Sequence, residues 1–144
     1  MRKLIAAVTL AALGLALLPI QASASFDHHF TVFERESFTH NPNDTFRFRG
    51  KVFDPRNRHD RVGRDRGHCT IRPHNELRCR GTFHLNGEIG GFGDIKYGGD
   101  FGPGDTRLNV VGGSGDFKGV AGKQLFQSLN RSGTTSLDHF ALVR

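Results

Sequence analysis

The chain has 144 residues, a net charge of +6 and 13 phenylalanines but no tryptophan. This length favours one domain with a modest hydrophobic core, in which phenylalanine is the main filler. The positive charge either attracts anionic polymers or is simply a solvated basic surface. After the first residues no segment is apolar enough to cross a membrane as a helix, which excludes a multi-span membrane protein.

The N-terminus has the pattern of a secretory signal peptide. Two cations precede an apolar run over residues 4–18, and Ala22–Ala24 provides a small-residue cleavage site. The alternative is a transmembrane anchor, but the run is short for a span of about 20 residues and Pro19 follows it. We therefore expect a signal peptide over 1–24 and a secreted domain over 25–144.

Short apolar or alternating runs recur along this domain, separated by turn residues, and no helical periodicity is evident. The predicted strands are 30–34, 45–53, 68–71, 77–85, 88–102, 108–111, 124–129 and 137–143. Eight strands can close into a barrel that is filled by side chains or holds one small ligand. The fold class predicted is all-β, a roughly eight-stranded antiparallel closed barrel, whose closure would remove exposed sheet edges.

The second predicted strand alternates cleanly. Phe46 and Phe48 share one face, whereas Arg47, Arg49 and Lys51 share the other. The simplest interpretation buries the Phe face and solvates the Arg face. Two alternatives remain: a strip that stacks nucleic-acid bases, which export disfavours, or a cavity in which Arg47 and Arg49 hold a carboxylate ligand.

The segment 54–67 is polar and contains five arginines, with no apolar periodicity. We predict that it is a loop. Its arginines could hold a phosphate or sulfate, or the loop could be solvated and partly neutralised by its own aspartates.

Cys69 and Cys79 are the only cysteines. They flank a predicted hairpin centred near His74, and each lies five residues from that centre. Directly opposed positions on paired strands come close enough for a disulfide, and an exported protein meets an oxidising environment. The two cysteines are therefore predicted to pair.

A glycine-rich segment joins the predicted strands 108–111 and 124–129, and we expect a sharp, specific bend there. Its glycines are Gly112, Gly113, Gly115, Gly119 and Gly122. A dinucleotide site is disfavoured, because Lys118 occupies the position of the last glycine in the G-x-G-x-x-G pattern and no helix pattern follows. No cofactor is predicted.

The eight histidines show no spacing typical of metal ligands, so surface histidines and no metal site are expected. His139 lies beside Asp138, but neighbouring residues on a strand point to opposite faces, and no nucleophile motif is present. A catalytic triad is therefore not predicted.

Three stretches resemble the allene oxide cyclase and dirigent superfamily of small β-barrels. They are the glycine segment Val111–Gly122, the pair Gly67–Cys69 and Arg80–Phe83, and Val32–Glu34 before the turn at Asn41. The resemblance implies a barrel with an apolar cavity at one mouth, often a homotrimer. Plant cyclases of this group rearrange a fatty-acid epoxide, and dirigent proteins hold phenoxy radicals while they couple.

The resemblance also implies site residues. Glu34 falls where the cyclases place a cavity carboxylate, Cys69 where they have a thiol, and Glu36 near an amide position. In an apolar barrel mouth the pKa of Glu34 would rise, so that it could act as an acid or base; alternatively it is an exposed residue at a strand end. A disulfide with Cys79 would remove the thiolate.

Three functions follow from these observations. The first is a secreted barrel that binds a small apolar or phenolic molecule and guides its reaction without covalent chemistry. The second is a true cyclase, an isomerase, in which Glu34 polarises the substrate. The third is a secreted structural or interaction domain with a filled barrel. No nucleic acid and no membrane partner are expected after cleavage.

Overall fold

The computed structural model describes residues 27–102 and 104–144, which form a closed barrel of eight antiparallel strands. The strands are β1 (Asp27–Asn41), β2 (Thr45–Phe53), β3 (Arg61–Ile71), β4 (Leu77–Asn86), β5 (Phe92–Phe101), β6 (Thr106–Gly113), β7 (Ala121–Ser128) and β8 (Thr135–Val143). Each strand pairs with the next in the chain, and β8 pairs with β1. The predicted fold class is confirmed. The predicted signal peptide lies outside the described residues.

Alternation of side chains along each strand separates the interior from the outer surface. In β8 every second residue is buried, from Ser136 through Asp138 and Phe140 to Leu142. In β2 the same period places Phe48 and Val52 inside and Arg47 and Arg49 outside. The predicted bounds of β2 agree with the structure, because its phenylalanines and arginines alternate so regularly.

One end of the barrel, termed the closed end, is packed with apolar side chains. Phe83, Leu85 and Phe140 are almost fully buried there. A 3₁₀ turn over Gly115–Phe117 places Phe117, 1% exposed, in this core, with its ring 6.1 Å from that of Phe30. These buried apolar side chains fill the barrel at this end.

The glycine-rich segment lies at the closed end and shapes the turn that carries Phe117. Gly115 and Gly119 have φ angles of +60° and +77°, a conformation that side-chain-bearing residues rarely adopt. Gly113 is needed for another reason, since a Cβ there would overlap the Phe117 side chain and backbone. The segment therefore acts as a packed closure of the barrel.

The two largest errors in the predicted boundaries concern β3 and β1. The segment 54–67 is a loop only to residue 60, because β3 begins at Arg61. The sequence shows no apolar alternation here, because inward positions in this part of β3 carry Asp65 and glycine in place of apolar residues. β1 extends to Asn41, well beyond Glu34, and the polar residues Glu36 and His40 at its inward positions hid this from the sequence pattern.

The remaining loop over residues 54–60 packs against the outside of the barrel. The guanidinium of Arg58 lies 4.3 Å from the centre of the Phe33 ring, which faces outward yet is 2% exposed. Arg56 pairs with Asp54 at 3.3 Å. Within the described part of the chain, no helix is long and apolar enough to cross a membrane.

Candidate functional site

A cavity of about 440 Å³ opens at the end of the barrel opposite the glycine segment, termed here the open end. Aromatic side chains form much of its wall. They are Phe38, Phe46, Phe48, Phe101 and Phe126. The inner part of the cavity is polar and contains Glu34, Glu36, Gln124 and Asp138 with the hydroxyl of Tyr97. A ligand would thus meet aromatic walls first and acids deeper inside.

Glu34 and Glu36 both face the interior because they lie two residues apart on β1. Glu34 is 1% exposed, and Glu36 is half-buried nearer the mouth. Gly50 lies opposite Glu36 on β2, and a Cβ at this position would overlap the Glu34 carboxyl group. The space for that carboxyl therefore depends on a glycine on the neighbouring strand.

Two further acids are buried close to the glutamates. Asp65, from β3, accepts a hydrogen bond of 2.5 Å from the Tyr97 hydroxyl. Asp138, from β8, accepts one from the Gln124 amide at 2.7 Å and one from the Ser136 hydroxyl at 2.9 Å. Four carboxyl groups thus share one desolvated interior, where they cannot all be ionised together.

This interior pushes the carboxyl pKa values upward and apart. Burial, followed by the charges of Asp65 and Asp138, raises the pKa of Glu36 to about 9. Burial raises the pKa of Asp65 to about 7, although the Tyr97 hydrogen bond opposes the rise. Burial raises the pKa of Asp138 to about 6, and its hydrogen bonds from Gln124 and Ser136 oppose the rise. At neutral pH the cluster therefore contains both protonated and ionised groups.

Glu34 lies close enough to Glu36, Asp65 and Asp138 for their charges to act on its carboxyl group. Burial, then the charge of Asp65, raises the pKa of Glu34 well above its usual range. Glu34 is also hydrogen-bonded to Asp138, which keeps the Asp138 pKa lower. A protonated Glu34 donating to an ionised Asp138 satisfies both observations. The pair can therefore pass a proton between neighbouring carboxyl groups.

Three buried oxygens have no hydrogen-bond partner among the described residues. They are Oε1 of Glu34, Oδ1 of Asp65 and Oε1 of Gln124. A buried polar atom without a partner is costly, and native proteins rarely contain one without a reason. Glu34 and Gln124 both line the cavity, so these two unpartnered oxygens lie close behind its wall.

Glu34, Glu36 and Asp65 are also the residues that could hold a metal ion. Their carboxylate oxygens lie within 4.8 Å of one another, and oxygen ligands suit Mg²⁺ or Ca²⁺. In the described part of the chain no histidine joins this group. A cation would have to displace the protons that the raised pKa values retain, so its binding would strengthen with pH.

The structure brings together some predicted site residues and separates others. Glu34 and Glu36 line the same cavity, whereas Arg47 and Arg49 lie on the outer face of β2. The hypothesis that these arginines line the cavity is wrong in position, because strand alternation turns them away from it. The interpretation of Glu34 as an exposed strand-end residue is also wrong, since β1 continues well past it.

The predicted Cys69–Cys79 disulfide is present, and the two residues are direct partners in the β3–β4 register. Both line the cavity wall. Because a disulfide sulfur is not a thiolate, Cys69 offers no nucleophile or acid to the cavity. The chemistry of this site therefore rests on the carboxyl groups.

Asp65, Asp138, Gln124 and Tyr97 were missed as site residues. Asp138 could have been found, because it shares its strand face with Phe140 and Leu142. Asp65 could not be placed by this signal, since its neighbours on the inward face of β3 include glycines. Gln124 begins a predicted strand but carries no motif.

Similar folds occur among solved structures. The TM-score is 0.63 for a pterocarpan synthase dirigent protein (13% identity, 95% of this chain and 97% of that chain). It is 0.57 for pyocyanin demethylase (15%, 82% and 98%). It is 0.60 for the Diels–Alderase AbmU from Streptomyces koyangensis (16%, 81% and 63%). No protein-family model and no curated protein sequence matches the chain.

The solved neighbours include both dirigent proteins and cyclase-type barrels. Their sequence identities are low, so the likeness concerns the path of the backbone and not the residues of the site. Together with the closed eight-stranded topology, it confirms the resemblance inferred from the glycine segment and the cysteine hairpin. The chain has the allene oxide cyclase/dirigent-type barrel fold.

Proposed function

We propose that this protein binds a small apolar or phenolic molecule at the open end of the barrel and guides its cyclisation or coupling by acid–base contact. The observation that carries this proposal is the cluster of carboxyl groups, held in different protonation states, at the inner part of an aromatic cavity. Pairs of acids with separated pKa values are typical of acid–base sites.

The cavity has the size and lining of a small-molecule site. Its volume of about 440 Å³ is within the usual range for such ligands, roughly 300–1,000 Å³. The faces and edges of Phe46, Phe48 and Phe126 suit an aromatic or unsaturated ligand. A cavity of this kind weighs against the alternative of a filled, purely structural barrel.

The acids divide the chemical work. Glu36, protonated at neutral pH and nearest the mouth among the acids, donates a proton to a ligand carbonyl or quinone oxygen. Asp138, mainly ionised, accepts the proton that the ligand loses as its new bond forms. Glu34 links this base to the cavity, so that the proton can return without bulk water. The net proton count of the site is unchanged.

The solved neighbours support a choice between guiding and catalysis within one fold. They include a dirigent protein, a demethylase and a Diels–Alderase. A true isomerase remains the second candidate, and the unpartnered Oε1 of Glu34 favours it, because a purely guiding barrel has no need for a buried orphan acceptor. Secretion, which the disulfide supports, and a homotrimer are further proposals.

A ligand screen with matched variants tests this function. Thermal shift against phenolic compounds and unsaturated fatty-acid derivatives should find ligands that raise Tm. With any ligand that is converted, Glu34→Gln and Glu36→Gln should keep binding but lower kcat on the order of 100-fold or more. Glu76→Gln, on the exposed hairpin, is the control and should behave as wild type. Absence of any ligand, or full turnover by both cavity variants, contradicts the proposal.

A further inference from the structure

A second concave site lies on the outer surface of the barrel, across β2 to β5. This basic groove has a volume of about 490 Å³, and the cations that line it are Arg47, Arg49, Arg66, Arg80 and Lys96, with His68 among them. Among the residues that the structure describes, no acidic side chain lines it. We propose that the basic groove binds a linear polyanion bearing sulfate or phosphate groups.

The strand register concentrates these charges. Arg49 lies directly opposite Arg66, which lies opposite Thr82, and Thr82 lies opposite Lys96. Arg47 lies opposite His68, which lies opposite Arg80. Like charges placed opposite one another on a sheet destabilise it. Two rows of cations in register are therefore unfavourable for the free protein and become favourable when an anion lies across them.

Among the described residues these cations have no acidic partner. Among the described residues, no carboxylate oxygen lies within the 4.0 Å salt-bridge distance of any of them. Two residues of the groove contact each other: Nε of Arg80 donates a 2.7 Å hydrogen bond to Nε2 of His68. The guanidinium groups of Arg47, Arg49 and Arg66 are exposed, and each keeps its planar donor set free for sulfate or phosphate oxygens.

The dimensions of the basic groove indicate a ligand with several anionic groups. Adjacent strands are about 4.8 Å apart, so Arg49 on β2 and Lys96 on β5 are separated by about 14 Å of sheet. A single sulfate or phosphate cannot contact both. A chain of such groups can follow either row of cations and neutralise several at once.

The lining favours recognition of charge over recognition of bases. Phe48 and Tyr97 reach the groove only from inside the barrel, and each is 5% exposed. Within residues 27–102 and 104–144, no exposed phenylalanine or tyrosine lines the groove, so these residues offer bases no aromatic stacking platform. We therefore expect sulfated glycans or inorganic polyphosphate to bind more tightly than single-stranded nucleic acid of equal charge.

Binding of three labelled probes tests this proposal. The probes are a heparin oligosaccharide, inorganic polyphosphate and oligo-dT of matched charge, measured by fluorescence anisotropy at several salt concentrations. Arg49→Gln/Arg66→Gln should weaken binding and lower the slope of log Kd against log salt by about two. Lys118→Gln/Arg131→Gln removes the same charge from exposed positions outside the groove and should leave that slope unchanged.

Each outcome has a defined meaning. Preference for the heparin probe identifies a sulfated glycan, and preference for polyphosphate identifies a phosphate polymer; both support the groove. Equal losses in the two double variants would show attraction to net charge alone and would overturn the proposal, as would tighter binding of oligo-dT or no binding by wild type. A Tm for the groove variant at or above that of wild type excludes misfolding as the cause of lost binding.

Discussion

The two ends of this barrel follow the same strand alternation and yet have opposite interiors. At the closed end the inward positions carry large apolar residues such as Phe83, Leu85 and Phe140, and Phe117 completes the seal. At the open end the same strands carry Glu34, Glu36 and Asp65, and the interior is hollow. The closed end stabilises the fold. The open end lacks such a packed core, and its cavity can accommodate a ligand.

The largest difference between the ends should appear in the pH dependence of stability. The buried acids have higher pKa values in the folded protein than in the unfolded chain, so the folded state retains more protons as the pH rises. Stability is therefore greatest near pH 4 and falls towards pH 9. For Asp138, a rise in pKa from 3.8 to about 6 corresponds to roughly 3 kcal/mol.

Urea unfolding across this pH range measures the effect. Glu36→Gln should flatten the decline, because the neutral amide has no proton to lose, whereas the exposed Glu76→Gln should keep it. Stability that increases from pH 4 to pH 9 would show that the cluster is solvated and that the two ends do not differ in this way.

Removing the seal should damage the closed end most among single core substitutions. Phe117→Ala leaves a cavity in a dry core and should cost about 3–5 kcal/mol in the free energy of unfolding. Phe38→Ala, at the open end where the ring is 44% exposed, should cost less than about 1 kcal/mol but weaken ligand binding. Chemical denaturation of both variants checks this, and equal costs would remove the distinction.

Breaking the disulfide tests how far the open end depends on a covalent link. The bridge joins residues separated by 10 positions, for which loop-closure entropy gives about 2–3 kcal/mol. Cys69→Ala/Cys79→Ala should lose this amount and loosen the cavity wall, with weaker ligand binding. Wild type in a reducing agent should lose a similar amount of stability, and no loss in either sample would contradict the assignment.

A modest effect on stability, with a large effect on function, is expected at Gly50. Its backbone has an ordinary conformation, so only the clash of a new Cβ with the Glu34 carboxyl matters, at a cost of about 1–2 kcal/mol. Gly50→Ala should displace that carboxyl and lower turnover of any ligand the protein converts. Gly102→Ala is the control, since a Cβ there meets no atom within 4 Å. Wild-type turnover by Gly50→Ala would separate Glu34 from the mechanism.

Local patterns predicted the parts of the fold where side-chain type agrees with side-chain direction. The alternation of Phe46, Arg47 and Phe48 gave the bounds of β2, and the symmetric spacing of Cys69 and Cys79 gave their pairing. The site was harder to predict, because an acid on a strand is ordinarily expected to face water. Asp65 is inward only because eight strands close around it, and closure depends on pairing between residues far apart in the chain.

The protonation states of Glu34, Glu36, Asp65 and Asp138 test the central claim most directly. Site-specific ¹³C NMR of the carboxyl carbons, recorded from low to high pH on the free protein, gives each titration separately. We expect Glu36 to be still protonated at neutral pH and to titrate near pH 9, while Asp138 titrates near pH 6. Titration of all four groups near the usual carboxyl value of about 4 would contradict it.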